Sequence, residues 1–138
     1  MKEPQDWVSA LYVRYQGGFA SFMPVVKGGR SIYRINEDAH LDVWYDAITK
    51  ALNVNEWSFV VATYDSFVAI IRLYINGELC ATISGVPNMG EAKEVWIGGD
   101  VFQKSFCGLI SAVQFSNVTM ESVEIKEMYD KIREELNH

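Results

Sequence analysis

Hydrophobic and polar positions follow one another most regularly between residues 55 and 81, and that stretch predicts two strands joined by a tight turn. Along residues 57–64, Trp57, Phe59, Val61 and Thr63 fall on one face of a strand, while Ser58, Val60, Ala62 and Tyr64 fall on the other. Both faces are largely apolar, which predicts a strand inside a sheet rather than at its margin. Asp65 and Ser66 interrupt the pattern, and residues 67–75 resume it with β-branched and aromatic side chains. Asn76-Gly77 then follows. Both residues tolerate the positive φ of a type I′ turn, so the pair predicts a hairpin with residues 78–84 as the returning strand.

The same periodicity extends to the rest of the chain. Residues 7–16 predict a first strand, with Trp7, Ser9, Leu11, Val13 and Tyr15 alternating against Val8, Ala10, Tyr12, Arg14 and Gln16, and Gly17-Gly18 ending it. Residues 19–29 read as a loop-like passage around Pro24 and Gly28-Gly29; residues 30–35 read as a strand, with Asn36-Glu37-Asp38 as the turn after it. Residues 40–46 alternate again. Residues 85–92, with Pro87, Asn88 and Gly90, predict an exposed loop whose Val86 and Met89 either rim a ligand site or anchor the loop. A short strand over 94–98 would turn Val95 and Ile97 inward and Trp96 outward; Gly98-Gly99-Asp100 turns into a loop, and a longer strand covers 106–116 with a bulge at Gly108. The period changes only at the end. Ile125, Met128, Tyr129, Ile132 and Leu136 recur every three or four residues and predict a helix over 121–136, capped by Thr119 or Ser122 and docked by its apolar stripe. No repeat, low-complexity stretch or linker divides the chain, so residues 1–138 are expected to form a single domain.

The string W-x-x-V-x-x-T-Y-D from Trp57, then R-L-Y-I-N-G-E-L, V-W-I-G-G-D and F-C-G-L-I-S-A-V-Q-F, resembles the laminin-G / pentraxin / concanavalin A-like jelly roll superfamily from Trp57 to Tyr129. The resemblance implies an all-β, two-sheet antiparallel β-sandwich (concanavalin A-like jelly roll) with a short C-terminal helix, and within the loop-like passage Pro24-Val25-Val26-Lys27 resembles the family's short strand that ends in Lys-Gly. The family includes sugar-binding lectins, calcium-dependent recognition domains, adhesion modules, virion appendage domains and polysaccharide-cleaving enzymes, so the fold alone does not select an activity. In the family an edge strand precedes the strand that corresponds to residues 7–16, whereas here six residues do. That departure predicts an uncovered strand edge and, through it, self-association into a homo-oligomer.

A chain of 138 residues with 49% apolar and 13% aromatic side chains can bury a core without metal or disulfide. A formal charge of -6 argues against nucleic acid and anionic membranes as partners, since both attract positive surfaces. No apolar run approaches the roughly 20 residues of a membrane span, and MKEPQDW lacks the apolar stretch of a leader. The expected location is therefore cytoplasmic or virion-associated, or extracellular if a leader has been removed. Cys80 and Cys107 are expected on faces of different character and reduced, and the Asn117-Val118-Thr119 sequon matters only in a secreted eukaryotic protein.

Candidate chemistry concentrates in residues 40–46. Strict alternation puts His40, Asp42, Trp44 and Asp46 on one face and Leu41, Val43 and Tyr45 in the core. An indole beside carboxylates and an imidazole suits a sugar, whose apolar face stacks on the ring while its hydroxyls donate to the carboxylates. Arg14, Arg34 and Arg72 are expected to add donors if their strands lie alongside. The plainer alternative is a solvated face with Trp44 covered by a loop. Asp38, His40 and Asp42 alternate but fall short of a calcium or zinc ligand set; loop acids Asp65, Asp100 and Glu91 are the weak candidates for Ca2+ at a rim. An enzyme is not expected, since the chain carries no Glu-x-Asp-x-Glu pattern and no Gly-x-Ser-x-Gly elbow, and its second histidine is the terminal His138. The sequence thus points to a non-catalytic, lectin-like glycan-binding module, with a structural or protein-interaction module as the alternative. An open Trp44 favours the first, and a Trp44 buried between chains the second.

Overall fold

The computed structural model describes residues 9–26, 29–53, 56–65, 67–97 and 120–136, apart from the side chains of Val25, Trp96 and Leu136. Expectations for Trp7, Asp100, the strand at 106–116, Cys107, the sequon and Thr119 lie outside the described residues. Among the described residues, eight strands and one helix run β1 Leu11–Tyr15, β2 Gly18–Val26, β3 Arg30–Glu37, β4 His40–Lys50, β5 Val60–Asp65, β6 Ile70–Ile75, β7 Glu78–Ser84, β8 Ala92–Ile97 and α1 Ser122–Leu136. The strands form two antiparallel sheets, ordered β4-β3-β2-β1-β8 and β5-β6-β7. No helix among the described residues is long and apolar enough to cross a membrane.

The two sheets meet over one core. Ala20, Phe22, Ile35 and Ala47 from the larger sheet close on Ile71 and Leu73 of β6, with Val86 and Met89 inserted from the β7–β8 loop. Val86 and Met89 therefore anchor that loop. The Gly17 N–H donates to the Met89 carbonyl at 2.9 Å, and Val86 N–H donates to the Ala69 carbonyl at 3.2 Å. A side chain at Gly18 would collide with the Asn36 carbonyl and the Met89 sulfur, so the first residue of β2 has to be glycine. Met23, Val26 and Ile32 form a second buried cluster.

Several expectations are corrected. The passage at 19–29, expected to be loop-like apart from a short strand at 24–27, is strand up to residue 26: β2 begins already at Gly18 and pairs with β1 and β3. Proline is tolerated there because the register shifts between Met23 and Val26, where the ladder does not call on its missing N–H. The Pro24 carbonyl accepts from the Ser31 hydroxyl at 2.6 Å. Asn36 and Glu37 stay in β3, and the turn is Asp38-Ala39. β1 has hydrogen-bonded neighbours on both sides, so the uncovered edge expected beside the first strand is not at β1; β4 and β8 end the described sheet. Trp57 precedes β5 and is exposed, and among the described residues β6, not β5, is the middle strand of its sheet. Val95 and Ile97 also remain exposed. In β7 the register shifts so that Ala81 faces Leu73 and Leu79 faces Tyr74, which lifts Cys80 out of the alternation as an exposed free thiol.

The hairpin forms as its sequence dictates, with φ of 51° at Asn76 and 81° at Gly77. Asn76 also binds the start of β5: its Oδ1 accepts from Phe59 N–H at 2.9 Å, and its N–H donates to the Phe59 carbonyl at 2.7 Å. Helix α1 is capped neither by Ser122 nor by a described threonine. Glu121 precedes the first turn; its carbonyl accepts from Ile125 N–H at 3.1 Å and its N–H donates to Glu124 Oε1 at 3.3 Å, half of a capping box. The Ser122 hydroxyl instead bonds the Tyr74 hydroxyl at 3.0 Å, tying the helix to β6. Ile125 is fully buried and Tyr129 stacks on Phe59 at 6.3 Å, so α1 covers the side of the smaller sheet away from the core.

Two outcomes test this packing. Gly77→Ala is expected to cost roughly 1–3 kcal/mol in urea unfolding, since its Cβ would meet Tyr129 and Lys126 at 3.0 and 3.1 Å as well as a positive φ. Gly85→Ala, where φ is 74° and nothing lies within 4 Å, should cost distinctly less; equal losses would show that the helix does not rest on the hairpin. Burial against the core pushes the Tyr33 phenol well above its ordinary range, with the neighbouring Tyr15 adding to the rise, and burial raises Tyr15 too. Both must stay neutral to fold, so their contribution is complete below the unfolded phenol's pKa of about 10 and is lost as pH rises beyond it. Stability measured from pH 9 to 11.5 should fall, and Tyr33→Phe should flatten that slope.

Candidate functional site

Register decides which side chains share the outer face of the larger sheet. One transverse row runs Trp44, Asn36, Phe19, Arg14 and Glu94 across the five strands, and beside it Asp46, Arg34, Ser21 and Tyr12 form a second. Arg34 donates from Nε and Nη2 to the two oxygens of Asp46, at 2.7 and 2.8 Å, with both side chains largely buried. The same guanidinium lies 4.1 Å from the centroid of the Trp44 ring. The indole is 59% exposed, so the cation backs one face of the ring and leaves the other to solvent.

The ring is fixed from its edge as well. Between Asn36 and Glu37 the register slips, so that Trp44 faces Asn36 while His40 faces Glu37, and residues 41–43 bulge from the strand. The Asn36 amide fills the gap, its Nδ2 donating to the Leu41 carbonyl at 3.1 Å and the Val43 carbonyl at 2.8 Å. Trp44 Nε1 also donates to the Leu41 carbonyl at 3.1 Å.

The bulge overturns part of the expected pattern. Leu41 and Val43 are not core but 62% and 41% exposed, because the alternation that would have buried them is broken there. Tyr45, past the bulge, does pack against the core. Trp44 and Asp46 share the outer face as expected, while His40 and Asp42 are exposed on and beside the bulge. Arg34 joins the site. Arg72 does not: it lies on β6 in the other sheet, opposite Thr63 and Thr82. Arg14 reaches the Asp38 carboxylate in the β3–β4 turn, with Nη1 to Oδ1 at 2.9 Å and a second contact from Nη2 to Oδ2. Hydrogen bonding to each other raises the Arg14 pKa and lowers that of Asp38.

The metal candidates among the described residues do not assemble. Asp38 is turned to Arg14, and Asp65 accepts from Phe67 N–H at 3.0 Å within the β5–β6 turn. Asp100 lies outside the described residues. Among the described residues no three His, Cys, Asp or Glu side chains converge. Sequence reasoning named Trp44, Asp46 and Arg34 but missed Asn36, whose place at a turn-like Asn-Glu-Asp masked its structural task. It also missed the Arg14–Asp38 pair, because opposite charges 24 positions apart leave no local signal.

The site is thus a fixed indole with a cation behind it and hydrogen-bonding groups at its margin, suited to stacking. The profile of the concanavalin A-like lectin/glucanases superfamily matches residues 2–126. Among solved structures, the chain is similar to Ruminococcus gnavus IT-sialidase CBM40 bound to alpha2,3 sialyllactose, with a TM-score of 0.70 at 18% identity, covering 92% of this chain and 76% of that one. A second structure of Ruminococcus gnavus IT-sialidase CBM40 gives a TM-score of 0.69 at 18% identity with the same coverage. No curated protein sequence matches the chain. The likeness to these carbohydrate-binding modules is one of fold, a two-sheet β-sandwich, and with the profile spanning most of its residues the chain belongs to the concanavalin A-like lectin/glucanase superfamily.

Proposed function

We propose that the domain is a non-catalytic carbohydrate-binding module whose ligand stacks on Trp44. The observation that carries this reading is the exposed indole held in place by the Arg34 guanidinium at 4.1 Å and by its own Nε1 bond to Leu41. A ring already fixed in one orientation loses little entropy when a pyranose lands on it, and it offers an apolar plane to the axial C–H groups of the sugar. Asp42 and His40, exposed next to the platform, supply partners for hydroxyls. Asp46 has both oxygens engaged by Arg34 and orients the cation rather than reaching the ligand. The likeness in fold to modules that include one bound to sialyllactose supports a glycan as partner, and the absence of a Glu-x-Asp-x-Glu pattern supports binding without cleavage.

One observation favours assembly as a second reading: Leu41, Val43 and Ile48, all on β4, are exposed apolar residues on a strand that ends the described sheet. A partner copy seated there would cover Trp44.

A glycan array on the purified protein, run with calcium and again with chelator after its solution mass is measured, separates the two. Binding is expected. Trp44→Ala should then weaken the best ligand by about tenfold or more with an unchanged melting temperature, and undiminished binding would remove this face from consideration. A silent array from a defined oligomer would favour assembly.

A further inference from the structure

Charge around the platform points to the class of sugar it takes. Two arginines, Arg14 and Arg34, reach this face, and each is matched by a carboxylate of its own through two contacts, Asp38 for the first and Asp46 for the second. Asp42 adds a further negative charge two residues before Trp44 along the strand, roughly 7 Å away. It sits, exposed, in the bulge that leads into Trp44. The whole chain is negative as well, at -6. From these we infer that the Trp44 face selects neutral, hydroxyl-rich pyranosides and disfavours carboxylated sugars, an inference that rests on the glycan-binding reading above.

The physical reasoning is a comparison of two ligands on one surface. A neutral pyranose brings C–H groups to the indole and hydroxyls to Asp42 and His40, and no term opposes it. A sugar acid brings the same groups together with an anion. That anion meets arginines already neutralised by hydrogen-bonded carboxylates, and its charge is opposed by Asp42. A like charge at roughly 10 Å in water disfavours it by about twofold. The preference is electrostatic and solvent-screened, so it has to shrink as salt is added. This separates the chain from the sialyllactose-bound module it is similar to, at positions that 18% identity leaves free to differ.

The experiment is an array of matched pairs, each a neutral glycan and its α2,3-sialylated counterpart, lactose and sialyllactose among them, read at 20 mM and 500 mM NaCl. The expected result is binding to the neutral member of each bound pair, about twofold tighter at low salt and converging at high salt. In Asp38→Asn/Asp42→Asn, which removes two carboxylates and releases Arg14, the preference should fall toward parity with the fold intact by circular dichroism. Sialylated members bound equally or more tightly by the unmodified protein would overturn this inference while leaving the module reading in place. A preference that ignored both salt and the double substitution would overturn its electrostatic basis. An array silent for every pair would instead sink the glycan-binding reading itself.

Discussion

The amide of Asn36 sets the geometry of this face. A strand that gains three residues against its neighbour leaves carbonyls without ladder partners, and a buried carbonyl without a donor costs on the order of 1–3 kcal/mol. Asn36, itself buried, gives both protons of its amide to two of those carbonyls, at Leu41 and Val43. β4 can then leave its register and rejoin it with Trp44 and Asp46 outward and Tyr45 and Ala47 in the core. The cation beneath the indole follows from this, since Asp46 faces Arg34 across the ladder only in the restored register.

The end of the sandwich that carries the bulge is knitted together through backbone. Ala69 accepts from Val86, Met89 accepts from Gly17, and Gly17 accepts from Asp38, whose side chain is taken by Arg14. This series runs from the β5–β6 turn of the smaller sheet to the β3–β4 turn of the larger. Val86 and Met89 are buried within it. The platform therefore stands on a braced rim rather than on a loose loop, which is the condition for an exposed aromatic to be a specific surface.

What was legible in the sequence was local. Asn76-Gly77 required a left-handed pair and got one, the three-and-four spacing around Ile125 gave the helix, and β3 read as a strand because Ile32 and Ile35 anchor opposite faces of one short run. The family resemblance carried the two-sheet architecture. What escaped was decided across the sheet. β2 was hidden because Gly18, Ala20 and Ser21 weaken its alternation and Pro24 counts against a strand unless a bulge receives it. Leu41 and Val43 were assigned to the core because period two admits no slip, and Arg72 was grouped with Trp44 because sequence does not say which sheet a strand joins. Ser122 looked like a cap, but the Tyr74 hydroxyl took its side chain.

The bulge also divides labour between folding and recognition. Leu41, Asp42 and Val43 point their side chains to solvent, while their backbone is held by an amide that does not depend on what those side chains are. Substitution at these three positions is therefore nearly free of stability cost, whereas Asn36 is pinned by the Leu41 and Val43 carbonyls, and Arg34 and Asp46 by each other. On the glycan-binding reading proposed above, descendants of this chain can drift in what they bind at the bulge while their sandwich stays the same, so ligand preference should diverge among them faster than fold.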